Sequence, residues 1–154
     1  MLIVGCGCRG RALGVALMED GHAVRGTTRA LLDPIDAAGI EACVADPDRL
    51  GTVMAALPGV SVVCWLLGSA QGSNVAELHG PRLETLLERL VDTPVRGFVY
   101  EAGGSVDASV LRRGGEAALA ASERWRLAVR VVSADPARHE EWLAAMRGAV
   151  DELL

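Results

Sequence analysis

The sequence contains no lysine: all fifteen of its basic residues are arginine. No side-chain ammonium is therefore present, and the only tyrosine is Tyr100. Aromatic residues make up 3% of the chain, so the core must be built from aliphatic side chains. No apolar stretch approaches the ~18 residues needed to span a bilayer. No basic run exists, and the net charge is −5 with acids and arginines interspersed, which argues against nucleic acid or an anionic membrane as partner. The first strand begins at Met1, leaving no room for a signal peptide, so a cytoplasmic location is expected. Cys6, Cys8, Cys43 and Cys64 lack the paired spacing of a zinc site, and the three histidines are scattered; no metal is expected.

What the chain does have is concentrated in its first thirty residues. Met1 to Val4 is a short branched apolar run that reads as a buried strand. It leads into Gly5-Cys6-Gly7-Cys8-Arg9-Gly10, a G-x-G-x-x-G sequence, and then into a helix with Leu13, Ala16 and Leu17 on one face, stopped by Asp20-Gly21. Each glycine has a task in such a strand–turn–helix: Gly5 permits the tight turn, Gly7 lets a pyrophosphate approach the backbone, and Gly10 lets the helix pack on the strand. The free N–H groups of that helix end, with Cys8 and Arg9 among them, would hold the phosphates. A dinucleotide is the ligand this pattern predicts.

His22 to Thr27 is expected as the second strand, followed by Thr28 and Arg29. A strand ending in Asp or Glu favours NAD, because the acid accepts from ribose hydroxyls and repels a 2′-phosphate. Two hydroxyls and a cation stand here instead. Arg29 offers a fork of donors suited to phosphate, with Arg9 near enough to approach the same group, so NADP is expected rather than NAD. Glu41 to Ala45 is the expected third strand, and Asp46 after it stands where it meets the adenine side or caps the next helix. Val60 to Leu67 is the most apolar run and reads as a central fourth strand. The polar loop Gly68 to Asn74 at its end, beginning with Gly68, should border the nicotinamide half, because ligands lie where strand order reverses.

The remaining elements alternate in the same way. A short helix is expected over 34–38 with Asp33-Pro34 at its start, one carrying Leu50, Val53, Met54 and Leu57, and another from Pro81 to Val91. Val95 to Tyr100 and Leu127 to Val132 are the fifth and sixth strands. Between them lies a helix of about 107–123, weakened by Gly114-Gly115, and a last helix opens at Pro136. Six strand–helix units predict an α/β fold: a doubly wound, parallel six-stranded Rossmann sheet in a single domain over 1–154, without a separate substrate lobe.

The opening IVGCGCRGRALGVALMEDGHAVRGTTR resembles the atypical short-chain dehydrogenase/reductase group typified by YeeZ, whose members are similar to nucleotide-sugar epimerases. The resemblance is good over residues 1–30, looser through Val44-Ala45-Asp46 and Gly97-Phe98-Val99-Tyr100, and fades after about 107. It implies cofactor contacts at Gly5, Gly7, Gly10 and Arg29, with Asp46 on the adenine side. The departures are equally specific. The serine positions that end the fifth strand in related reductases fall on Ala102 and Gly103, and Tyr-x-x-x-Lys is absent. Glu101, Ser105 and a cysteine are the only acid–base candidates near the predicted cleft, and His79 and His139 are expected at the surface. The expected protein is thus an NADP-binding module, a degenerate relative of the epimerase-like enzymes; the alternative is an active NADP-dependent oxidoreductase or epimerase-like enzyme acting on a small substrate with unorthodox residues. A homodimer is expected too, through a flat face formed by the last helix and the alanine-rich helix before it.

Overall fold

The computed structural model describes residues 1–29 and 38–154. The helix expected over 34–38 falls, but for its last residue, outside them. The elements run β1 (Leu2–Val4), α1 (Cys8–Glu19), β2 (Arg25–Thr28), β3 (Glu41–Val44), α2 (Leu50–Ala55) and β4 (Val62–Trp65). They continue α3 (Val75–Leu78), α4 (Pro81–Leu90), β5 (Gly97–Glu101), α5 (Ala108–Trp125), β6 (Ala128–Val132) and α6 (His139–Asp151). The six strands are ordered β3-β2-β1-β4-β5-β6, and all of their pairings are parallel. Strand order reverses between β1 and β4, so that their carboxyl ends flank a crevice.

The sheet is covered on both faces, which is why its central strands are apolar throughout. Along β4, Val63 and Trp65 face α4 and α5, whereas Val62 and Cys64 face α1 and α6. β5 divides likewise, Phe98 and Tyr100 on the first side and Val99 on the second. The α4 stripe of Leu83, Leu86, Leu87 and Leu90 is fully buried, as its spacing requires.

Several boundaries move for local reasons. β2 begins at Arg25, because the His22 amide is spent on the Leu17 carbonyl (3.0 Å) in closing α1. Asp46 does not cap α2. Its Oδ1 accepts from the Asp48 amide at 3.0 Å in a turn, and the helix starts at Leu50. Pro136 does not open α6; it sits in a turn whose Asp135 carboxylate accepts from Ala137 N at 2.9 Å. The one-turn helix α3 follows the β4 loop and was not predicted.

α5 runs unbroken through Gly114-Gly115, and those glycines are its contact with the sheet. A Cβ on Gly114 would lie 2.1 Å from the Tyr100 hydroxyl oxygen, and one on Gly115 would lie 3.2 Å from Val131. α5 and α6 lie on opposite faces of the sheet, so the flat face expected from the pair does not form. Trp142, Met146 and Val150 of α6 are wholly buried against the strands, and only Leu154, 64% exposed, continues the stripe into solvent. Among the described residues no helix is long and apolar enough to cross a membrane.

Candidate dinucleotide site

The glycine loop leaves β1 at Gly5, whose φ of +88° is a left-handed conformation that strains any other residue. A Cβ there would stand 2.4 Å from the Leu66 carbonyl oxygen. Gly10 is pressed equally closely, its virtual Cβ 2.8 Å from the Gly5 oxygen and 3.2 Å from Ile3. Gly7 differs from both: a Cβ on it would meet nothing within 4 Å. Gly7 is the N-cap of α1 and offers no side-chain acceptor to the helix. The first bond of the helical ladder runs from Arg11 N to Gly7 O at 2.9 Å, so the amides of Cys8, Arg9 and Gly10 stand ahead of it. This is the geometry of an anion site, a ring of donors at the positive end of a helix dipole that no group among the described residues fills.

A cavity of about 430 Å³ opens in front of this loop along the carboxyl edge of the sheet. Gly5, Gly7, Cys8, Arg9, Gly10, Thr28, Arg29 and Asp46 all line it. The loop after β4 supplies Ser69, Ala70 and Gln71. Thr27 fixes one wall, its hydroxyl accepting from the Gly5 amide at 3.2 Å. Arg29 is exposed at the far end beside β3. Gly68 is not on the wall. Its amide donates to Glu101 Oε2 at 2.9 Å, and a Cβ on it would lie 2.0 Å from the Gly103 oxygen. It is a point of contact between the loops after β4 and β5, which explains the glycine without a ligand.

Arg9 turns away from Arg29. Instead of approaching the same phosphate, its guanidinium crosses to the β4 and β5 side of the crevice. Nη2 donates to Glu101 Oε1 at 3.1 Å and to Ser69 Oγ at 3.2 Å. The guanidinium carbon lies 5.6 Å from the Trp142 ring centroid, within cation–π range. Glu101 is fully buried and receives a third partner, the Trp142 indole N–H, at 3.0 Å from Oε1. Burial pushes its carboxyl up, and Arg9, the Gly68 amide and Trp142 pull against that shift. All these partners are donors, so the carboxylate form is the one the surroundings satisfy. Sequence reasoning placed Glu101 near the cleft but missed Trp142, because the contact joins α6 to β5 and no local pattern encodes it.

His79 is not at the surface. It is 2% exposed and ends α3, with Nε2 3.1 Å from the Leu67 carbonyl and Nδ1 2.6 Å from the Tyr100 hydroxyl. A carbonyl only accepts, so Nε2 carries the hydrogen and Nδ1 accepts from Tyr100. Burial lowers the His79 pKa, and burial followed by the Glu101 charge raises that of Tyr100. The pair is a neutral structural bond beneath the β4 loop, closed to a substrate. Ser105 is exposed outside the cavity, its amide donating to Ser69 Oγ at 3.3 Å. Of the cysteines, Cys8 is exposed at the start of α1, with its sulfur accepting from Arg11 at 3.4 Å. Cys64 is buried, and burial pushes its thiol up to about 12.

No family model matches the chain, and no curated protein matches it. Solved structures do match. A short-chain dehydrogenase/reductase superfamily protein from Agrobacterium tumefaciens with bound NAD superposes with a TM-score of 0.71 at 19% identity, over 86% of this chain and 48% of its own. The NAD complex of UDP-glucuronic acid 4-epimerase from Bacillus cereus gives 0.64 at 14% identity, over 86% and 54%. UDP-glucose 4-epimerase from Thermotoga maritima with UDP-glucose gives 0.69 at 14%, again over 86% and 54%. The chain thus spans about half the length of the structures it matches, and what it shares with them is a Rossmann-like α/β fold, in this chain with six parallel strands.

Proposed function

We propose that this chain binds a nicotinamide dinucleotide across the carboxyl ends of β1, β2 and β4. The observation that carries the reading is Gly7: it stands at a helix end without a side-chain cap, beside amides that no described residue claims, with open cavity where a side chain would be. The pyrophosphate lies on the amides of Cys8, Arg9 and Gly10, and the adenosine half extends toward Thr28, Arg29 and Asp46. NADP is the preferred form, because the end of β2 presents the exposed fork of Arg29 and no carboxylate of its own. The NAD bound in the Agrobacterium and Bacillus structures supports the ligand class and leaves the 2′-phosphate to be decided by Arg29.

The role is that of a binding or regulatory module. Glu101 is enclosed by three donors, and the Tyr100 hydroxyl is spent on His79, so neither is free to exchange a proton with a substrate in the cleft. The alternative, an NADP-dependent oxidoreductase or epimerase-like enzyme, requires an acid–base group at the β4–β5 end of the crevice, whereas the carboxylates that line the cavity, Asp46 and Asp48, follow β3 at the other end. Equilibrium dialysis of the purified chain against NADP and NAD tests the proposal. Retention of NADP at micromolar concentration, with NAD held more weakly, is the expected result. Retention of neither at millimolar concentration overturns it.

A further inference from the structure

The end of the crevice away from Arg29 is built around Arg9, and its electrical balance says what it can receive. Arg9 has its Nη2 committed to Glu101 and Ser69, while Nη1 has no partner among the described residues. Ser69 Oγ accepts from Arg9 Nη2 and from Ser105 N, which leaves its own hydrogen to donate. Both Arg9 and Ser69 line the cavity, with Glu101 behind them and off its wall. This end therefore presents two donors. It presents no net charge, because the fully buried Glu101 neutralises Arg9 at 3.1 Å. An anion would gain little here, all the more beside a bound pyrophosphate. A neutral carbonyl oxygen accepts from both donors and brings no charge.

We propose that Arg9 and Ser69 form the subsite for the carboxamide carbonyl of the nicotinamide ring, with Glu101 and Trp142 positioning the guanidinium. The inference rests on the dinucleotide reading above. In a doubly wound sheet the two halves of a dinucleotide lie on either side of the strand-order reversal. Arg29 and Asp46 belong to the β2–β3 side, whereas Ser69 and Glu101 follow β4 and β5. Arg9 is thus a specificity residue for the reactive half, reached from the same helix turn whose amides hold the phosphates.

Calorimetric titration of the intact chain with NADP and two analogues tests this without reference to activity. One analogue carries unsubstituted pyridine in place of nicotinamide, and the other carries 3-acetylpyridine, which keeps the carbonyl but not the amide nitrogen. Wild type should bind NADP and the acetyl analogue alike and the pyridine analogue at least about ten-fold more weakly, since a charge-assisted hydrogen bond and a neutral one are lost together. Arg9→Lys keeps a cation opposite Glu101 but removes the free fork, and it should close most of that gap. Ser69→Ala should narrow the gap without disturbing the ion pair's charge balance. Equal binding of NADP and the pyridine analogue by wild type overturns the subsite while leaving the dinucleotide reading intact. A gap that persists in both variants also overturns it, by placing the carboxamide elsewhere. Absence of any dinucleotide binding removes the underlying reading instead.

Discussion

A methyl group added to Gly5, Gly7 or Gly10 would meet a different fate at each. At Gly5 it would be forced into a left-handed backbone and against the Leu66 carbonyl, 2.4 Å away. Gly5→Ala should therefore cost about 2–4 kcal/mol of stability, read as a lowered urea midpoint with unchanged slope. Arg29 is the second residue whose role is separable. Arg29→Ala should weaken NADP by ~1.5–3 kcal/mol and leave NAD nearly unchanged in parallel titrations, because only the 2′-phosphate is lost as a partner. Equal weakening of both cofactors would make Arg29 structural. At this scale the sequence was informative where a residue acts through its own backbone. The glycine spacing showed the loop and the place of its tight turn, because those needs are local. It was uninformative where a side chain chooses among distant partners. Arg9 was assigned to the wrong end of the crevice because its partners, Ser69 and Glu101, come from other strands.

Among the elements, α5 and α3 show how tertiary contact overrides local propensity. Gly114 costs helix propensity and is retained at the place where α5 meets Tyr100. Gly114→Ala should destabilise the fold by about 2–4 kcal/mol in denaturant unfolding, since Tyr100 must yield and release His79. A neutral or stabilising outcome, as an exposed helix position would give, would contradict this packing. α3 is too short to show a period, and His79 carries no local sign of burial, so both were missed. β4 and α4 were legible because eight successive apolar or small residues and a single leucine stripe admit few other environments.

The buried His79 also gives this region a pH dependence. Its pKa in the folded chain lies below the ordinary 6.5, so between those values the unfolded chain binds more protons. Stability from this group is present above pH 6.5 and is lost as pH falls through the window. Glu101 acts in the opposite sense, because its raised carboxyl lets the folded chain bind more protons above the ordinary 4.5. Comparison with a variant separates the two. Wild type should show a decline in urea midpoint as pH falls below 6.5, and His79→Gln, which can still donate to Leu67 and accept from Tyr100, should lose it. Identical slopes would mean that His79 is protonated without penalty.

For the whole molecule, the two faces of the sheet set what remains for function. The α4–α5 side and the α1–α6 side are each packed around their own apolar cluster, and α6 spends its stripe on the strands. The carboxyl edge carries the cavity that runs from Arg29 past Gly7 to Arg9. The alternation of strands and helices made this architecture readable, because six strands separated by helices have few parallel arrangements. Which helices share a face was not readable, and the expected α5–α6 surface failed on that point. The central claim is that the space beside Gly7 belongs to a pyrophosphate. Isothermal titration of wild type and Gly7→Val with NADP, at matched melting temperatures, tests it most directly. The account predicts saturable binding by wild type and none by the variant, with folding largely unchanged because a Cβ at Gly7 meets no protein atom within 4 Å. Undiminished binding by Gly7→Val, or no heat from wild type at millimolar NADP, would contradict it.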